Sequence, residues 1–141
     1  MSTVYLNGQY MPKSEAKVSV LDRGFLFGDG VYEVIPVYGG KPLRLAEHLL
    51  RLQNSLNGIH LANPHSDAEW TQLIDSMIER NEGTEQSLYL QVTRGAPAKR
   101  DHAFPEQVEQ TVFLMSSPIM PIPAAESMQG ANAVTLDDIR W

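Results

Sequence analysis

Asp22-Arg23-Gly24-Phe25-Leu26-Phe27-Gly28-Asp29-Gly30-Val31-Tyr32-Glu33-Val34 changes character partway along. Its first nine residues hold three glycines among charged and aromatic neighbours, a density that calls for tight turns or close backbone approach. Gly-Lys-Ser/Thr is missing and a strand follows instead of a helix, so this is no nucleotide-phosphate loop of the Walker type. From Val31 to Tyr38 the chain is β-branched and aromatic, then meets Gly39-Gly40 and Lys41-Pro42-Leu43-Arg44, the pattern of a strand turning into a hairpin. Pro36 inside that strand requires an edge or bulge position. Strand alternation gives Tyr32 the facing of Val34 and turns Val31 and Glu33 the other way. On spacing alone Tyr32 is a core tyrosine.

Outward from this stretch the signals are local and mixed in type. Val4 to Met11 reads as two short strands around Asn7-Gly8, where both central turn residues take positive φ. Leu45, Leu49, Leu52 and Leu56 recur at helical spacing and stop at Asn57-Gly58, with no evident N-cap before them. Ser66-Asp67-Ala68-Glu69 is a capping box, and Trp70, Leu73, Ile74, Met77 and Ile78 continue one apolar face towards Asn81. Ser87–Thr93 and Thr111–Met115 read as strands around a polar loop containing Gly95 and Pro97. The fold class is therefore α+β: an antiparallel sheet with two helices over residues 1–117. Three prolines within 118–123 form an extended interdomain linker. Residues 124–141 then begin a second domain, with a strand over Ala131–Leu136 that lacks partners, so the sequence is expected to continue past Trp141.

Composition removes whole classes of function. In 141 residues, 43% hydrophobic and 20% charged, the net charge of -6 speaks against a nucleic-acid partner. The absence of cysteine excludes disulfides, a thiolate nucleophile and thiolate-bound metal. No run approaches the roughly 20 apolar residues of a membrane span or a signal-peptide core, and a cytoplasmic protein with no membrane partner is expected. Seven of the eleven basic residues are Arg, a bias suited to anion sites built from planar guanidinium forks.

Two pairs of residues could form such sites. His48 and Arg51, at i and i+3 on the leucine-striped helix, face one spot beside the stripe and could take a phosphate or a carboxylate; equally, they could be a solvated helix face. Arg100 and His102 flank Asp101 in the loop after the 87–93 strand, where i and i+2 point to one side; Lys99 beside them fits an exposed basic loop as well. Asp137-Asp138 is a solvated or cap-like pair, and no spacing suggests a metal site.

The Asp22–Val34 stretch resembles the signature of fold type IV aminotransferases, the group that includes D-amino-acid and branched-chain aminotransferases and aminodeoxychorismate lyase. Glu47-His48-Leu49-Leu50-Arg51-Leu52 is similar to the family helix whose Arg holds the phosphate of pyridoxal 5'-phosphate (PLP). Gln91-Val92-Thr93-Arg94-Gly95 is similar to the strand before the substrate loop. The resemblance implies that Arg51 binds the cofactor, with His48 near it. Arg100-Asp101-His102 resembles the Arg-x-His pair of the D-amino-acid enzymes. That likeness implies that Tyr32, Arg100 and His102 bind the substrate carboxylate, the last two reaching across a homodimer.

The resemblance also implies transamination between D-amino acids of the D-alanine type and 2-oxo acids. Branched-chain amino acids or aminodeoxychorismate are the alternative substrates within the family. The family's Schiff-base lysine falls just beyond Trp141, and none of Lys13, Lys17, Lys41 or Lys99 matches it. By this reading no catalytic residue lies in the chain and residues 1–141 are inactive alone. A non-catalytic binding module of the PLP fold is the reading from another class.

Overall fold

The computed structural model describes residues 2–120, 123, 130 and 132–139. In chain order the elements are β1 (Thr3–Leu6), β2 (Gln9–Pro12), α1 (Arg23–Phe27), β3 (Gly30–Tyr38), β4 (Lys41–Pro42), α2 (Leu45–Gly58), α3 (Asp67–Glu79), β5 (Gln86–Thr93) and β6 (Thr111–Pro118). The strands form one six-stranded sheet in the order β2-β1-β6-β5-β3-β4, with every neighbouring pair antiparallel. The α+β expectation holds, and so do both hairpins. Asn7 and Gly8 take φ of 46° and 90°, as a primed two-residue turn demands.

α2 and α3 cover one face of the sheet. Leu49, Leu52 and Leu56 of α2 and Trp70, Ile74, Met77 and Ile78 of α3 meet Ile35, Val37, Leu88, Leu90, Val92, Val112 and Leu114 in a single core. Each such side chain contributes roughly 1.5–3 kcal/mol by leaving water. Trp70 is fully buried, and its indole N–H donates to Asn63 Oδ1 at 2.9 Å. The Ser66–Glu69 capping box forms with both of its bonds, whereas α2 starts at Arg44 in the left-handed region with no side-chain cap. Pro36 accepts from Leu43 N on the side of the two-residue β4; its ring nitrogen faces that short edge, and the ladder to β5 loses no donor.

Three expectations change. The glycine-rich stretch contains a short third helix, α1, where turns alone were expected. Asp22 caps it by accepting from Gly24 N at 2.8 Å, and Gly28, at φ 65°, ends it in the left-handed conformation that favours glycine. Tyr32 is not a core residue: it is 64% exposed, because the helices cover the Glu33 face of β3 and leave the Tyr32 face open. Finally, described residues 132–136 are exposed and form no strand, since no neighbouring strand offers them a ladder. Pro121, Ile122, Ala131, Arg140 and Trp141, which belong to the expected linker, strand and truncated end, lie outside the described residues. No helix of the described residues is long and apolar enough to cross a membrane.

Candidate anion site on strand β3 and helix α2

Glu33 is the one charged residue among the core-facing positions of β3, and it is 1% exposed. A carboxylate in such a place needs donors, and α2 supplies them one turn apart. Arg51 donates from Nε to Oε1 at 2.8 Å and from Nη2 to Oε2 at 2.6 Å. His48 Nδ1 lies 2.7 Å from Oε2. An ionised carboxylate only accepts, so His48 carries its proton on Nδ1 and turns Nε2 away from Glu33. The predicted His48–Arg51 pairing is thus realised, but around a carboxylate of the chain itself.

Arg51 is not fully committed by this contact. Glu33 occupies the side-on edge of the guanidinium, while the end-on edge formed by Nη1 and the outer N–H of Nη2 has no acceptor among the described residues; the side chain is 64% exposed. The Glu33 hydrogen bonds, followed by its charge, hold the Arg51 group above its usual value. A buried carboxylate that orients a guanidinium and leaves its outer fork in solvent produces a fixed receptor for an oxyanion, and the donor set fits a phosphate group. Tyr32 stands within electrostatic range of Arg51 and stacks on Tyr89, ring centroids 5.8 Å apart.

Arg100 and His102 form a separate cluster in the loop between β5 and β6. Arg100 Cζ lies 4.9 Å from the centre of the Phe27 ring, and the His102 ring lies 5.3 Å from the same ring. Both residues are exposed. The two residues thus share the Phe27 ring of α1 as a neighbour. The four lysines are all exposed.

Several residues that organise these clusters were not singled out from the sequence. Asp29 accepts from Arg23 Nε at 2.7 Å and from Arg94 Nε at 2.8 Å through one oxygen. Burial would push the Asp29 carboxyl up, but the hydrogen bonds and charges of Arg94 and Arg23 outweigh it and hold the group below the usual carboxylate range. Arg94 also donates to the carbonyls of Ile59 and His60, just past the end of α2. Asp22 Oδ2 accepts from Thr93 and Thr111, tying α1 to β5 and β6. Gly30 lies so close to β5 that a Cβ there would sit 2.7 Å from the Val92 carbonyl oxygen. Glu33 did leave a signal, since alternation aligns it with Ile35 and Val37; the pairing of Asp29 with Arg94, 65 residues away in sequence, left none.

Known proteins bear on this geometry. A model of the amino-transferase class IV family matches residues 30–141. The D-alanine aminotransferase of Staphylococcus aureus (strain N315) is 38% identical over 141 residues, all of this chain and 50% of that protein. The crystal structure of 4-amino-4-deoxychorismate lyase from Pseudomonas aeruginosa superposes with a TM-score of 0.71 at 30% identity, over 90% of this chain and 44% of the other. The branched-chain aminotransferase of the thermophilic archaeon Thermoproteus uzoniensis, with norvaline, superposes at 0.71 with 24% identity, over 85% of this chain and 42% of that one, a likeness of fold. The chain spans about half the length of the curated relatives it matches. With the matched region running from the start of β3, through the helix that carries His48 and Arg51, to the last residue, the chain belongs to the class IV aminotransferase family.

Proposed function

We propose that the protein is a PLP-dependent transaminase that moves the amino group between D-amino acids of the D-alanine type and 2-oxo acids, this chain supplying its N-terminal α+β domain over residues 1–117, followed by a linker. The observation that carries the reading is the Arg100–His102 pair, two cationic or donor-bearing side chains turned to one ring with their outer ends in solvent. A guanidinium and an imidazole so arranged bind and orient a carboxylate, with Tyr32 contributing a phenol from the open face of β3. Arg100 and His102, unlike Tyr32, reach across to the substrate of the second subunit in a cytoplasmic homodimer. The identity to D-alanine aminotransferase supports the substrate class.

Arg51 and His48 hold the cofactor: the end-on edge of Arg51 takes its phosphate, and Glu33 keeps that edge aimed. When bound, PLP supplies the electron sink for chemistry at the substrate Cα. What these side chains contribute is binding and orientation, fixing a carboxylate at one end and a phosphate at the other.

The experiment is Arg100→Ala in the full-length protein. Loss of one charge-assisted contact of about 2–3 kcal/mol lowers kcat/KM for D-alanine roughly 30–150-fold and reduces the preference for D- over L-alanine, with the cofactor absorption spectrum unchanged. Unchanged efficiency together with unchanged stereochemical preference would refute the assignment.

A further inference from the structure

The loop that carries Arg100 and His102 has little of its own to hold it. Between Ala96 and Pro105, the hydrogen bonds that reach from the loop to the rest of the chain are, among the described residues, all donated by Arg23. The exposed Lys99–Asp101 pair at 3.6 Å and the Ala103 N to Asp101 Oδ1 bond at 3.2 Å are internal to the loop. Arg23 Nη1 donates to the carbonyls of Asp101 at 2.6 Å and Ala103 at 3.3 Å, and Nη2 to that of His102 at 3.4 Å. Nε is held by Asp29, and the main-chain N of Arg23 donates to Gly95 O at the start of the loop. The guanidinium is almost fully buried, with the Phe27 and Phe104 rings 4.8 and 5.6 Å away. Phe27 is the ring that Arg100 and His102 also touch.

We propose that Arg23 is a positioning residue, which gathers three consecutive carbonyls onto one buried guanidinium and, with Phe27 as platform, fixes where Arg100 and His102 stand and so how tightly a substrate carboxylate is held. The proposal rests on the carboxylate reading of Arg100 and His102. Only a planar fork serves here: Arg presents five donors in fixed directions, whereas Lys has three on a single rotating nitrogen. Arg23→Lys therefore keeps the charge beside Asp29 and loses the grip on the loop.

The test uses the full-length protein with PLP bound, D-alanine as amino donor and amide hydrogen exchange as a second readout. For Arg23→Lys, exchange of the Ala103 amide, which donates to Asp101 Oδ1 within the seated loop, speeds at least about tenfold, KM for D-alanine rises roughly 10–30-fold, and kcat stays within about threefold. Cofactor absorption and retention are unchanged, which a general loosening of the fold would not allow. In an Arg100→Ala background the same change costs less than about threefold, because the residue it positions has gone.

Unchanged exchange and unchanged KM in Arg23→Lys overturn the proposal, and so does a rise in KM fully additive with that of Arg100→Ala. An Arg100→Ala protein with normal KM sinks the carboxylate reading itself; exchange then decides the seating alone, protection lost in Arg23→Lys supporting it and protection kept overturning it. Should Arg23→Lys fail to fold, Phe27→Leu leaves the Arg23–Asp29 pair intact. A KM raised at least about fivefold with normal cofactor retention supports the proposal, and an unchanged KM overturns it.

Discussion

Two clusters in this protein have nearly the same ingredients and opposite designs. Around Asp29 and around Glu33, one carboxylate is approached by two nitrogen-bearing side chains at 2.6–2.8 Å. At Asp29 all three side chains are at most 10% exposed, and both guanidiniums extend to backbone carbonyls as well. At Glu33 only the carboxylate is sealed, while Arg51 reaches into solvent with one edge open. The difference shows that the environment of a charge pair, more than its composition, decides whether its donors are all matched inside the fold or one edge is left facing solvent. A closed pair has its donors matched inside; a half-open one is held rigid by its buried partner and stays able to bind.

The largest effect expected from this contrast is on stability at the closed cluster. Asp29→Ala leaves Arg23 and Arg94 buried without their carboxylate and should cost about 3–5 kcal/mol, read as a fall in the urea midpoint. A loss below about 1 kcal/mol would erase the distinction. Arg51→Ala should do the reverse: the urea midpoint moves little, since water can reach Glu33 where the exposed fork stood, while PLP retention weakens roughly 10–150-fold through one lost charge-assisted contact. Dialysis followed by absorption spectroscopy measures the retention, and a mutant that keeps its cofactor as firmly as wild type breaks the receptor half of the comparison.

The smallest effect is that of acid. Asp29 has its folded-state pKa lowered from an unfolded value near 3.9, so its contribution is fully present above that pH and is lost as pH falls below it through the folded pKa. Burial opposes the lowering, which keeps the effect modest. Denaturation midpoints measured from about pH 5 downwards should fall with pH, and the slope should be shallower in Asp29→Asn. An identical slope in the two proteins would assign the acid response to other carboxylates.

What was legible in the sequence was local. Asn7-Gly8, the leucine stripe of α2 and the Ser66 capping box each carry their cause within a few residues, and each formed as expected. Alternation along β3 correctly separated Tyr32 from Glu33, yet could not say which face the helices would cover; that choice is made by α2 and α3 and set Tyr32 in the open. α1 escaped notice because five residues containing a glycine carry no periodic signal, and its support comes from Asp22, Thr93 and Thr111. His48 and Arg51 were legible as a pair, though their meeting point on Glu33 required the sheet to be assembled. The Asp29 cluster joins residues 23, 29 and 94, and no spacing rule spans that separation.

The side-chain hydrogen bonds by which Arg23 holds the 96–105 loop all end on main-chain oxygens, at 101, 102 and 103. Every amino acid offers that same carbonyl, so the tether is indifferent to what the loop displays. A change of side chain at these positions leaves those three acceptors in place. The arrangement separates holding from reading: the scaffold keeps one shape while the residues presented to a ligand remain open to revision, the condition under which one fold can acquire new substrates by a few replacements.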